Sequence, residues 1–172
     1  MIQYRKGDEV YNGRYIEVNG RMIIAPTPEI LLENGYIPID VEPSQEELLK
    51  SAIQNKIAEI LAYDNSDAVN SFKLNDIPVW INREDRIGTR RALELDIANG
   101  LSESEIWLNG FKLVVNSQLA LKLLDAVGHY AYSAYNVTQS HIFAVKNLTS
   151  INEVEKYDYT KGYPQKLDLK TA

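Results

Sequence analysis

Two eleven-residue segments of this chain repeat one another thirty-four residues apart, and the repeat limits the folds open to it. Phe72-Lys73-Leu74-Asn75-Asp76-Ile77-Pro78-Val79-Trp80-Ile81-Asn82 has its counterpart in Ile106-Trp107-Leu108-Asn109-Gly110-Phe111-Lys112-Leu113-Val114-Val115-Asn116. In both, Leu-Asn is followed by Asp or Gly and then by a bulky apolar residue, and both close on Asn. Asn-Gly and Asn-Asp between strand-forming residues specify tight hairpins, because a type I′ turn needs positive φ at both central positions. The closing Asn82 and Asn116 are placed to cap helices. Helical periodicity follows each: Ile87, Arg91, Leu93, Leu95 and Ile97 up to Asn99-Gly100, then Leu119, Leu121, Leu123, Leu124, Val127 and Tyr130. Helical solenoids have similar periods, but their units are helix pairs, and two strand-bearing copies are too few to stack. The pattern instead predicts an α+β fold of small antiparallel β hairpins backed by helices. Its expected core is Trp80, Ile81, Leu95, Leu108, Leu113, Leu121, Leu124 and Val127.

Residues 1–43 read as a separate small β-rich N-terminal unit. Short extended runs at 2–5, 9–11, 14–18 and 21–25 are separated by Lys6-Gly7-Asp8, Asn12-Gly13 and Asn19-Gly20. Thr27 and Pro28 mark a helix start, with Ile30, Leu31 and Leu32 as its apolar face and Gly35 as its end. Residues 36–41 look extended, and Pro38 favours a sheet edge. Residues 44–63 form a connecting amphipathic helix. It opens on the capping box Ser44-Gln45-Glu46-Glu47 and carries Leu48, Leu49, Ala52, Ile53, Ile57, Ile60 and Leu61. That stripe has two readings: a helix lying on its own domain, or a short self-associating stem seamed by Leu49, Ile53, Ile57 and Ile60, which makes a homo-oligomer. Residues 64–172 form the α+β C-terminal domain. A helix is expected from Asn116 to Leu148, kinked or split at Gly128 or at Asn136-Val137-Thr138. Ser150 and Glu153 recap a short helix, and the turn-rich 157–164 tail packs back on the domain.

Composition narrows the function. The net charge is −6, which argues against nucleic acid and against an anionic membrane surface as partners. There is no cysteine, so thiolate metal sites, disulfides and a thiol nucleophile are excluded. The N-terminal residues lack the apolar run of a signal peptide, and no apolar stretch is long enough to span a bilayer. The two histidines, His129 and His141, are twelve residues apart on one predicted helix, so they point about 120° apart and cannot share a metal. Glu84-Asp85 and the pair Glu103 and Glu105 are expected to flank helix starts, where carboxylates complement the helix dipole. No phosphate loop, nucleophile elbow or dinucleotide fingerprint is present. The sequence therefore gives no catalytic residue, no metal ligand and no cofactor.

Two features point to binding instead. Arg83, Arg86, Arg90 and Arg91 form the densest basic patch. It reads either as a solvated face paired with Glu84, Asp85 and Glu94, or as a clamp for an acidic partner. The chain has 11 Tyr against 3 Phe. Tyr130, Tyr132 and Tyr135 crowd the long helix, and Tyr157, Tyr159 and Tyr163 crowd the tail. A phenol joins a large contact area to a polar tip, which suits half-buried sites and interfaces. These six tyrosines are the candidate protein-binding residues, with local packing of the tail on the helix as the alternative.

From Ser66 to Leu169 the chain resembles a family of short uncharacterised domains of tailed phages and prophages, found beside tail-fibre genes and in tail-fibre assembly-type proteins. The resemblance is carried by Ala68-Val69-Asn70-Ser71-Phe72, Trp80-Ile81-Asn82-Arg83, Ile106-Trp107-Leu108 and Tyr135-Asn136-Val137-Thr138. It continues through Val154-Glu155-Lys156-Tyr157-Asp158-Tyr159 and Gly162-Tyr163-Pro164. Asn12-Gly13-Arg14 and Ala25-Pro26-Thr27 resemble the small leader that precedes this domain in some phage proteins. The resemblance implies a non-enzymatic tail accessory protein, a tail-fibre assembly chaperone or a tail or baseplate component. Its partner would be a phage tail-fibre or baseplate protein. Its place would be the bacterial host cytoplasm during assembly, or the virion tail. The competing readings are a phage-encoded hydrolase acting on cell-surface glycan and a small regulatory or anti-host protein.

Overall fold

The computed structural model describes residues 2–171. The protein is α+β, and the chain divides into two compact units, with the boundary between Lys50 and Ser51.

In the first unit, β1 (Ile2–Lys6) lies between β2 (Glu9–Val10) and β5 (Ile37–Asp40), antiparallel to both. Pro38 sits in β5 at the edge of that sheet, where a missing N–H breaks no ladder. A separate hairpin joins β3 (Tyr15–Val18) to β4 (Arg21–Ile24) through Asn19 and Gly20, at φ 52° and 72°. Helix α1 (Pro28–Glu33) is capped by the Thr27 hydroxyl, which accepts from the Ile30 amide. Only Leu31 of its expected apolar face is buried; Leu32 points to solvent. Ile16, Leu31 and Tyr36 form the core.

Helix α2 (Gln45–Asp64) runs across the junction. Its capping box forms as the sequence requires: Ser44 Oγ accepts from the Glu47 amide at 3.2 Å, and Glu47 accepts from the Ser44 amide at 2.8 Å. Ile60 is fully buried within the chain, whereas Leu48 and Leu61 fall off the covered stripe and are exposed.

In the second unit, β6 (Phe72–Leu74) and β7 (Ile77–Val79) form the first repeated hairpin, with parallel β10 (Asp168–Leu169) against β6. β8 (Glu103–Leu108) and β9 (Phe111–Asn116) form the second. Both turns have positive φ at both central residues: Asn75 and Asp76 at 52° and 68°, Asn109 and Gly110 at 46° and 85°. Each hairpin then hands over to a helix capped by its closing Asn. Asn82 accepts from the Asp85 amide to start α3 (Arg83–Ala98), and Asn116 accepts from the Leu119 amide to start α4 (Ser117–Lys146). The inner faces of the hairpins meet the helices in one core of Phe72, Leu74, Val79, Ile81, Leu93, Leu108, Val115, Ala120, Leu124 and Val127.

Three expectations need correction. Glu103 and Glu105 lie in strand β8 and not at a helix start. Leu95 is 45% exposed, because Leu93 takes the core position and a residue two further on lies about 200° round the helix. Helix α4 is one uninterrupted helix of 30 residues that ends at Lys146. Gly128 does not break it, since Leu124, Val127, Tyr130 and Ala134 anchor both sides of that position in buried sites. Nor does the 136–138 stretch: the Thr138 hydroxyl is satisfied by Asp64 at 2.8 Å and by the Ala134 carbonyl at 3.2 Å.

Candidate functional site

The six tyrosines separate into three groups. Tyr130 is a core residue, 4% exposed, and donates its hydroxyl to the Val69 carbonyl at 2.7 Å. It therefore offers no surface, which corrects its place among the binding candidates. Burial pushes its phenol pKa upward. Tyr157, Tyr159 and Tyr163 are half-buried and pin the tail to the long helices. Tyr159 and Tyr163 meet Tyr63 edge-on, with ring centroids 5.7 and 5.5 Å away. The Tyr163 hydroxyl lies 2.9 Å from that of Thr138. Tyr157 bonds His141 Nδ1 at 2.9 Å, and the other ring nitrogen of His141 lies 2.9 Å from the Lys161 carbonyl. His141 is thus a clasp for the tail.

Tyr132 and Tyr135 remain on the surface, at 65% and 54% exposure. Phe143, which sequence reasoning passed over, joins them at 73%. The signal was available: Phe143 lies eleven residues beyond Tyr132, three turns on and only about 20° round the helix. The opposite side of α4 carries Val127, Tyr130, Ala134 and Val145 into buried positions. One helix therefore presents a packed apolar face and an exposed aromatic stripe.

Beside that stripe runs a groove between the N-terminal half of α3 and the middle of α4. One stretch, of about 480 Å³, is lined by Arg83, Arg86, Ile87, Arg90, Asp125 and His129. A neighbouring stretch of about 290 Å³ shares Arg83 and Arg86 and adds Trp80, Asn70, Asn82 and Tyr135. The four arginines are not equivalent. Arg90 pairs with Asp125 and, at 3.0 Å, with Glu94, and the Asp125 bond raises its pKa. Arg91 reaches toward Glu94 at 3.9 Å and is otherwise in solvent. Arg86 donates to the Ile81 carbonyl at 2.5 Å and lies over the Trp80 ring. Arg83 forms no ion pair among the described residues. The solvated-face reading thus holds for Arg90 and Arg91, and Arg83 and Arg86 stand apart from it.

A second exposed aromatic sits on the outer face of the β8–β9 hairpin. Trp107 is 68% exposed and shares that face with Val114, while Ile106 and Leu113 turn inward. In the first unit, the β3–β4 pairs Tyr15 with Ile24 and Glu17 with Met22 face outward, and Ile24 is 77% exposed.

Among the described residues, no group of three or more His, Asp or Glu comes close enough to hold a metal. No helix of the described residues is long and apolar enough to cross a membrane. Comparison with protein-family models, curated proteins and solved structures returns no match to this chain.

Proposed function

We propose that this protein acts by protein–protein binding, as a phage or prophage tail accessory protein. Its partner in this reading is a tail-fibre or baseplate protein, met in the host cytoplasm during assembly or in the virion tail. The observation that carries the binding reading is the stripe of Tyr132, Tyr135 and Phe143, exposed on a helix whose opposite face is core. Large rings left in water gain little where they stand. Covered by a partner, each removes a large apolar area from solvent, and aromatic anchors dominate measured interface energies. The first unit also leaves Met22, Ile24, Ile37 and Ile39 exposed on its strands. The phage assignment rests on the sequence resemblance from Ser66 to Leu169. In that setting an assembly factor would cover exposed edges of a slow-folding, β-rich fibre until its subunits associate. Co-expression with a tail-fibre protein of the phage or prophage that carries it tests the proposal. A stable complex supports it, and separate elution of the two folded proteins contradicts it.

A further inference from the structure

We infer that the groove between α3 and α4 receives an extended acidic segment of the partner protein, with carboxylates seated between Arg83 and Arg86. This rests on the reading of the protein as a binding module and adds the chemistry of what it binds. The charge distribution comes first. The chain carries a net charge of −6, yet Arg83 and Arg86 line the same groove. Asp125 and Glu94 neutralise Arg90. Arg83 has no ion pair among the described residues, and the bond from Arg86 goes to a neutral carbonyl. Burial, and then the neighbouring Arg83, depress the Arg86 pKa; Glu84 offsets less than Arg83 adds. Both cations line the groove and neither forms an ion pair among the described residues, so an anion seated there would find two partners.

Geometry selects a carboxylate on a peptide. The Arg86 guanidinium is held over Trp80 and tethered to Ile81, so its planar fork is oriented before any ligand arrives. Beyond the arginines the groove offers the Asn70 side-chain amide, which makes no hydrogen bond among the described residues, and the ring of Tyr135. Amide and phenol partners suit the polar backbone and side chains of an extended segment. A nucleic-acid strand fits worse. It needs a run of cations along its phosphates, and here Asp64 and Asp125 line the groove on either side of the two arginines.

The test measures fluorescence anisotropy of a labelled glutamate-rich nonapeptide against the full chain at low salt. The wild type is expected to bind it at least tenfold more tightly than the glutamine counterpart. Arg83→Gln should weaken binding at least fivefold, and Arg83→Gln with Arg86→Gln should abolish it. Arg91→Gln, with the same change in net charge, should stay within twofold. Because Arg86 also packs on Trp80, the single Arg83→Gln variant decides the matter if the double variant melts early. Equal binding of the two peptides overturns the inference. So does an equal loss in Arg91→Gln, or tighter binding of single-stranded DNA that disappears in the Arg83 variant. A tail-fibre complex that survives Arg83→Gln while the peptide affinity also survives refutes the groove and leaves the binding module standing.

Discussion

The guanidinium of Arg86 lies 5.4 Å from the centre of the Trp80 ring, and Trp80 in turn meets Phe72 and Tyr130 edge-on. The wall of the groove is thereby continuous with the core of the second unit. A cation held over an aromatic ring and partly withdrawn from water contributes about 0.5–2 kcal/mol. Arg86→Gln should lower stability by an amount in that range and change the emission of Trp80. Urea titration of the Trp107→Phe background, which leaves Trp80 as the sole indole, reads both effects. An unchanged midpoint and spectrum would mean the stacking contributes nothing.

Thr138 ties three elements of the second unit together. It is fully buried, and its hydroxyl meets Asp64, the Ala134 carbonyl and the Tyr163 hydroxyl. Thr138→Val keeps the shape and strands Asp64 and Tyr163, at a cost of about 1–3 kcal/mol. Tyr132→Ala, on the exposed stripe, should stay within about 0.5 kcal/mol of wild type. Thermal melts of the two variants should separate clearly. Equal midpoints would show that the tail is not held through Thr138.

Tyr36 donates to Glu9 at 2.6 Å, and that bond, reinforced by burial, pushes the phenol pKa up to about 12. An unfolded tyrosine titrates near 10. The folded pKa lies above the unfolded one, so the stabilisation is complete below pH 10 and is lost as the pH climbs toward 12. Glu9→Gln should remove part of this late titration. Difference absorbance near 295 nm of wild type against Glu9→Gln checks it, and superimposable titration curves would contradict the assignment.

Gly128 lies inside α4, and a Cβ added there meets nothing within 4 Å beyond the backbone of its own helix. Its backbone is helical, so Gly128→Ala should raise stability by about 1 kcal/mol through helix propensity alone. A lower melting temperature would indicate that the groove wall at this point is closer than the structure shows.

The local architecture was legible in the sequence because it depends on neighbours in the chain. The hairpin turns at Asn19-Gly20, Asn75-Asp76 and Asn109-Gly110, the caps at Thr27, Asn82, Asn116 and Ser150, and the box at Ser44 formed where side-chain chemistry put them, whereas Asn12-Gly13 makes no hairpin. What could not be read was which side of an apolar helix finds a partner. Leu93 and Leu95 look alike in the sequence, and only the strands packed on α3 decide between them. The same limit applies to the tyrosines. Tyr130 and Tyr132 are two residues apart, and one lies in the core while the other lies in water. Helical phase within α4 would have separated them, had the helix been expected to run unbroken. For the arginines, the cluster and the pairing with Glu94 at helical spacing were legible, but the second partner of Arg90 was not. Asp125 lies thirty-five residues from Arg90 and meets it only in the fold.

The most direct test is the affinity of the protein for a phage tail-fibre protein, the proposed partner, measured by calorimetry with wild type and with Tyr132→Ala/Tyr135→Ala/Phe143→Ala. All three rings are exposed, so the triple variant should melt close to wild type. At about 2 kcal/mol for an anchoring ring, losing even one raises the dissociation constant roughly thirtyfold. The account predicts a measurable wild-type complex and a loss of at least that size with the fold intact. Undiminished binding by the triple variant would contradict it.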